Sequence, residues 1–454
     1  MNKPTVILPV ETKSREFHGK LFLALNLLAR GYPVVIGEQW RLWEYADILS
    51  PGIYIDKSIA ATHTEWIQRC NAMGHLVTSW DEEGLIFFEP WMYRKLRVEP
   101  KSMEGLARLF AWGEVQREAI CEEYPEYHDR IALCGNPRFD LLRPGLRAFY
   151  AKAVSAIKQR YGKMLLVNTN FAMHNHYKTP EQLKASLANY PLAQEPGYMD
   201  GWIAMHKHAH EAYLAMVPEL LARYPDHTVV VRPHPSENHA PWETLAKQHP
   251  RLFVDASGNV HEWILASECV IHFNCTTAVE AYLLDVPAIA YRPGRYPRYE
   301  NPLPYALSEN TFSPPELFAA VDGRFTARER GALWTAEQQA IATRYIASVQ
   351  GGTAAERITN EIDELAQQHP LRPFSPLKRL LAKAKHSWRL RVHAQRESSR
   401  GTDGYNAQKF PGLTATELEE DLNRMMAASA IHVNATRRSV AKNCFRLIPG
   451  KPRQ

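Results

Sequence analysis

Three loops in the sequence hold residue types that do chemistry. Arg232-Pro233-His234-Pro235 follows the β-branched run Thr228–Val231, and its two prolines fix the backbone so that the imidazole is presented from a stiff loop. Arg232 offers a charged donor and His234 a donor or general acid, a pair suited to a phosphate or a leaving group. A turn that merely ends a strand is the plain alternative. His272-Phe273-Asn274-Cys275-Thr276-Thr277 stands between an apolar run and a helix that carries Glu280. Hydroxyls and free N–H groups at a helix start suit a phosphate, and ordinary helix caps use the same threonines. Asp81-Glu82-Glu83-Gly84 sets three acids in a row after an apolar run, where mutual repulsion raises the pKa of one and fits it for general-base work. A solvated acidic loop reads the same way.

Three further positions belong to the candidate site. Glu11 ends the first apolar run as a second candidate base, in competition with a role as a capping acid at a helix start. In Gly135-Asn136-Pro137-Arg138-Phe139-Asp140, Gly and Pro shape a turn that leaves Arg138 and Asp140 to pair with each other or to face a ligand. Asn170, within Asn168-Thr169-Asn170-Phe171, sits at another polar strand end. Other chemistries lack a signal: there is no G-x-G-x-x-G and no Walker lysine loop, which argues against nicotinamide chemistry and P-loop hydrolysis. His174, His176, His206, His208 and His210 cluster without a carboxylate or cysteine at metal-ligand spacing, so no metal is expected. The six cysteines form no C-x-x-C pair and read as free thiols.

These loops matter because in open α/β sheets the ligand lies outside the carboxyl ends of the strands. Short apolar runs at 5–10, 33–36, 52–55, 75–79, 109–112 and 131–134 alternate with helical stretches such as 16–30 and 62–72, the pattern of a helix-covered parallel sheet. A second series starts at 163–167 and continues at 228–232, 252–254, 269–272 and 288–291, with helices at 202–223, 260–266 and 277–284. The expectation is an α/β protein of two Rossmann-like domains facing a central cleft. Their bounds are 1–150 for an acceptor-side domain and 151–325 for a nucleotide-donor domain. A helical return segment at 326–370 and a basic, helical C-terminal extension at 371–454 complete the chain.

At 454 residues the chain suits two domains, and 45% hydrophobic with 23% charged residues argues against disorder or membrane embedding as the overall class. No apolar run nears the ~18 residues of a membrane span, and no secretion signal is visible, so a cytoplasmic location is expected. The net charge of +5 is uneven, since residues 371–454 carry 17 Lys+Arg against 6 Asp+Glu and leave −6 on the remainder. Within 377–396, Leu377, Leu380, Leu381, Ala384, Trp388 and Val392 recur at helical spacing among lysines and arginines. Such a helix lies on an anionic membrane surface, here the inner face of the cytoplasmic membrane, or packs on the body with its charges in water. No nucleic-acid partner is expected. Lys409-Phe410-Pro411-Gly412-Leu413 then leads into a helix at 416–426 capped by Thr414 or Thr416.

The segments I-L-P-V-E-T-K-S-R-E at 7–16, D-E-E-G-L at 81–85, G-N-P-R-F-D-L-L at 135–142, R-P-H-P at 232–235 and K-F-P-G-L at 409–413 resemble bacterial surface carbohydrate biosynthesis proteins. More widely, an acidic D/E-D/E-G motif, a later H-P and a Ser/Thr motif are similar to the sialyltransferases and Kdo transferases that use CMP-sugars. The resemblance implies a GT-B fold and a metal-independent glycosyltransferase of capsule or lipopolysaccharide synthesis, with a CMP-linked ulosonic acid as donor and a glycan or lipid-linked glycan as acceptor. It makes Asp81 or Glu82 the base, with Glu83 beside them, and gives His234, Thr276 and Thr277 to the donor phosphate. Cys275-Thr276-Thr277 stands where a Ser-Ser or Ser-Thr pair is more usual. G-x-P-R-x-D with a later H-P also resembles the CDP-glycerol and CDP-ribitol phosphotransferases of teichoic acid synthesis. A non-catalytic GT-B-like protein that binds nucleotide or glycan is the third reading.

Overall fold

The computed structural model describes the chain apart from residues 1–2, 188–189, 330–332, 372–373, 376, 378–379, 382–383, 385–408 and 451–454. It divides into two compact units, one of Met1–Phe149 with Thr343–Gln454 and one of Tyr150–Ala342.

In the first unit, β1 (Val6–Val10), β2 (Val34–Glu38), β3 (Ile53–Asp56), β4 (Leu76–Ser79), β5 (Arg108–Ala111) and β6 (Ile131–Leu133) pair in parallel in the order β2-β1-β3-β4-β5-β6. β1 and β3 are buried along their whole length, as expected of strands covered on both faces. The order reverses between β1 and β3, so the residues that follow Val10 and Asp56 flank the place where such sheets open a crevice. Helix α1 (Lys13–Ala29) buries Phe17, Leu21, Leu25 and Leu28 on a face of helical period and stops at Gly31, whose left-handed φ of +84° ends it. Gly19 lets the 137–142 turn lie directly on α1: a Cβ there would stand 2.6 Å from the Arg138 backbone nitrogen.

In the second unit, β7 (Met164–Asn168), β8 (Thr228–Arg232), β9 (Leu252–Val254), β10 (Cys269–His272), β11 (Ala288–Tyr291) and β12 (Glu309–Thr311) form an all-parallel sheet in the order β12-β11-β10-β7-β8-β9. Counted within the unit this is the 3-2-1-4-5-6 order of a Rossmann sheet, with its switch point between β7 and β10. Asn168 is in register with both His272 and Arg232, so three strand ends finish level. Helices α2 (Tyr198–Arg223), α3 (Val260–Ala266) and α4 (Thr277–Leu283) are among those that connect the strands. Phe171, Tyr213, Trp242 and Phe273 are fully buried in its core, each large aromatic contributing roughly 2–3 kcal/mol by leaving water.

The rest of the chain returns to the first unit. Helix α5 (Ala354–Gln368) packs on α1, and α6 (Ala415–Ser429) starts at Thr414, whose hydroxyl accepts from Glu417 N. Then β13 (Ala435–Ala441) and β14 (Cys444–Pro449) form a hairpin, and β14 adds antiparallel to β2. Residues 343–370 and 409–449 are thus part of the first unit's own sheet and cover, where the sequence suggested a separate return segment and tail. Arg437 and Arg438 hide β13 from a search for apolar runs, and charge on an edge strand also discourages pairing with another chain. Gly37 in β2 allows the close approach of this hairpin, because a Cβ would lie 2.3 Å from Asn443 O. The segment 377–396 falls outside the described residues except for Leu377, Leu380, Leu381 and Ala384, all exposed. No helix among the described residues is long and apolar enough to cross a membrane.

Candidate active site

At the rim of the second unit, the R-P-H-P turn is fixed by a residue the sequence reading passed over. Glu237 is buried, and its Oε1 accepts from Thr169 Oγ1 at 2.8 Å, Phe171 N at 3.0 Å and His234 N at 3.0 Å. One carboxylate oxygen therefore joins the loop after β7 to the loop after β8. Burial raises the Glu237 carboxyl above the usual range, against these donors. The turn also orients the imidazole: Ser236 N donates to His234 Nδ1 at 3.2 Å, so in the neutral ring Nε2 carries the proton. The surrounding protein, and then the charge of His176, lower the His234 pKa although the side chain stays open to solvent. His234 is thus a positioned, neutral N–H donor at ordinary pH.

The other expected donors at this rim have mixed fates. Arg232 is engaged locally: its guanidinium donates to the carbonyls of Asp255, Ala256 and Ser257 and lies over the Trp263 ring. It anchors the loop after β9 and corrects the expectation of a phosphate contact. Asn274, in the left-handed region at φ 47°, donates to Tyr299 O at 2.9 Å and accepts from Asn301 N at 2.8 Å, so its amide holds the 299–301 loop. Asn170 donates to Asn274 O at 3.2 Å and braces the switch point from its other side. Thr277 accepts from Asn168 Nδ2 and donates to Cys275 Sγ. Thr276, by contrast, is exposed and makes no capping bond, so its hydroxyl is available at the start of α4. Glu280 is buried with its carboxylate 3.4 Å from His261 Nε2, and His261 Nδ1 lies 3.1 Å from Tyr150 Oη; its place is inside the packing of α3 and α4. His272 is fully buried, bonded to Ser308, and lowered by burial to about 3.

The rim of the first unit is built from ion pairs. Asp81 is fully buried and gripped by Arg97 Nε and Nη2, and its carbonyl accepts from Trp112 Nε1 at 2.7 Å. Glu83 pairs with Arg15 at 2.9 Å; burial alone would raise it, but Arg15 and Arg97 carry it below the usual range. Glu11 pairs with Lys57 and with Lys409, the latter at 2.8 Å. Burial works against the Glu11 anion, but hydrogen bonds and charges from both lysines hold its carboxyl at about 2. An acid held so firmly as an anion is a poor proton acceptor at neutral pH, which corrects the reading of Glu11 as a base. The capping acid is Glu16, which accepts from Glu11 N and Thr12 N at 3.1 Å each.

Glu82 differs from its neighbours. It is buried, Oε1 accepts from Trp80 Nε1 at 2.8 Å, and Oε2 has no hydrogen-bond partner. Burial first, then the nearby Glu16 charge, raises its pKa, against Lys20, Arg15 and Arg138. Arg138 itself stacks on Trp112 and Phe139, while Asp140 accepts from Ala354 N and Ala355 N at 2.8 Å each and so caps α5. Asp140 is structural, and Arg138 contributes charge near the acids. Of the expected site, Glu82 keeps a buried carboxylate oxygen without a hydrogen bond, and His234 and Thr276 are exposed. No group of three or more His, Cys, Asp or Glu among the described residues is arranged to hold a metal ion.

No protein-family profile matches the sequence, and no curated protein sequence does. Among solved structures, the chain is similar to the UDP-GlcNAc 2-epimerase of Methanocaldococcus jannaschii, with 13% identity, a TM-score of 0.51, and coverage of 80% of this chain and 99% of that one. It is also similar to the wall teichoic acid polymerase TagF, with 12% identity, a TM-score of 0.47, and coverage of 81% and 90%. The first likeness, with the strand orders above, shows the fold: two Rossmann-like α/β units in one chain, the GT-B class.

Proposed function

We propose that this protein is a glycosyltransferase of surface-polysaccharide biosynthesis that moves a sugar from a cytidine nucleotide, a CMP-activated ulosonic acid such as Kdo, to a glycan or lipid-linked glycan. The observation that carries the reading is the second unit's switch point, where His234 offers an oriented N–H and Thr276 an exposed hydroxyl on level strand ends. Such donors suit the phosphate of a departing nucleotide and leave its charge to be met by the protein, with no metal required. Glu82 acts as the base: the acceptor O–H bond breaks as its proton goes to Oε2, the new C–O bond forms, and the electron pair of the broken donor bond leaves with CMP. Activity is therefore expected to persist in EDTA.

Thermal shift with CMP, CMP-Kdo, CDP-glycerol and UDP-GlcNAc tests the donor, since mass action raises the melting temperature only for a ligand of the folded state. Stabilisation by the cytidine compounds is expected. A response to UDP-GlcNAc alone would place the chain with the substrate named for its archaeal neighbour and end the cytidine reading, and turnover of CDP-glycerol alone would make it a polyol phosphotransferase. If every donor binds and none is turned over with any glycan acceptor, the chain is a binding protein. We further propose attachment to the inner membrane face through the exposed Leu377, Leu380 and Leu381. Co-sedimentation of the full chain with anionic vesicles is expected, and indifference to Leu380→Glu with Leu381→Glu would refute it.

A further inference from the structure

Beneath the acidic loop of the first unit lies a buried cluster that the reaction above does not by itself require. Lys20 Nζ, on the inner face of α1, donates to Pro9 O at 2.6 Å and to Glu16 Oε2 at 2.7 Å, and stands 3.8 Å from Glu82 Oε1. The side chains of Glu16, Lys20 and Glu82 are each at most 4% exposed. Two carboxylates and one ammonium out of water, with Arg15 4.0 Å from Glu16 at their edge, are a costly arrangement that a merely structural cluster has little reason to keep. The ammonium is not shared evenly. Glu16 holds it at hydrogen-bond distance and also takes two backbone N–H groups, whereas Glu82 has the indole N–H on one oxygen and nothing on the other.

We propose that Glu16 and Lys20 are positioning residues for Glu82: Glu16 secures the ammonium and the backbone donors for itself, so that Glu82 Oε2, buried and without a hydrogen bond, is kept as the oxygen that takes the acceptor's proton. The proposal rests on the reading of Glu82 as the base. The other charged groups that face Glu82 are Arg15 on α1 and Arg138 on the 137–142 turn, and both favour its anion. Beside Asp81 and Glu83 on its own loop, Glu16 is the negative group that acts on Glu82 most strongly, and Lys20 is the cation whose removal most exposes Glu82 to it. The two substitutions should therefore act in opposite directions. Glu16→Gln removes the repelling charge and makes Glu82 more acidic; Lys20→Met removes the balancing cation and makes it less acidic.

The test reads Glu82 by two independent routes in the full chain. Its carboxyl stretch is isolated by infrared titration as the difference between the parent and Glu82→Gln, and the acidic limb of the kcat/KM profile is measured alongside. Glu16→Gln should move both midpoints down, and Lys20→Met both up, by ~1 pH unit each, the size of effect expected of one close charge. Glu16→Asp should return the midpoint most of the way. Unmoved midpoints in both substitutions, or shifts of the same sign, overturn the proposal; if one variant does not fold, the other still decides by its sign. Infrared shifts as expected with full activity in Glu82→Gln would leave the coupling standing and remove the base assignment on which the proposed function depends.

Discussion

The two rims hold their loops by different physics. In the first unit, Glu11, Asp81 and Glu83 are each fixed by lysine or arginine, and Lys13 reaches the tail at Gly412 O and Glu417. In the second unit, the loops after β7, β8 and β10 are joined by Glu237, Asn170, Asn274 and Thr277 through backbone and amide hydrogen bonds, with the buried His206 lowered by its burial to about 3 and therefore neutral. A rim of ion pairs sets proton affinities, because each close charge moves a neighbour's pKa. A rim of neutral donors gathered on a carboxylate and on amides sets geometry, which suits holding an anion. The contrast implies that catalysis and donor binding can be separated by substitution.

The largest expected effect tests that separation directly. Glu82→Gln should lower transfer by roughly 10²–10⁴-fold, the range for losing a general base, while the thermal shift given by CMP stays as in the parent. His234→Ala should do the reverse in kind, weakening CMP by about tenfold, or 1.4 kcal/mol, the order of one hydrogen bond to a charged group. Loss of CMP binding in Glu82→Gln would join the two roles and break the comparison. Next in size, Glu237→Ala strands two buried donors, Thr169 Oγ1 and Phe171 N, and the part-buried His234 N, and should cost about 3–4 kcal/mol in urea unfolding. A loss below 1 kcal/mol would mean that the second rim does not depend on this carboxylate.

A smaller effect follows from charge in the first unit. The Glu11 carboxyl is held at about 2 in the folded protein against an ordinary 4.5, so the unfolded chain binds the extra proton. The stabilisation is then complete above pH 4.5 and is lost as pH falls through 2. In urea unfolding at pH 6 and pH 3, the parent should lose on the order of 2 kcal/mol more than Glu11→Gln, since the glutamine has no proton to gain. Equal losses would show that Lys57 and Lys409 do not hold this loop.

Much of the fold was legible because its parallel strands are short apolar runs bounded by turn residues, and β8 to β11 fall where the sequence predicts them. The hairpin of β13 and β14 was not legible, because an edge strand that carries Arg437 and Arg438 lacks the apolar signature and resembles a basic tail. Site positions were readable as strand ends, but partners were not. Nothing in the spacing of Arg232 says that its guanidinium closes on the carbonyls of 255–257, and nothing in three consecutive acids says which keeps an oxygen without a hydrogen bond. Lys409 lies 398 positions from Glu11, and Glu237 acts on residues 66 and 68 positions away, so only tertiary structure reveals either contact.

The smallest effect sharpens the comparison within the first unit, by separating a charge that serves the fold from those at the rim. Asp140 sits in the same turn as Arg138, yet its two oxygens accept from Ala354 N and Ala355 N, the first orphan donors of α5. Thr353 and Glu356 complete a reciprocal capping box at the same helix end, so the donors do not all depend on Asp140. Asp140→Ala should therefore cost only about 1–2 kcal/mol, the usual value of a lost cap, and leave kcat/KM per folded molecule unchanged. A fall in kcat/KM without a matching fall in stability would instead give the turn a role at the acidic loop, and the ion-pair rim would then extend from Glu82 through Arg138 to the start of α5.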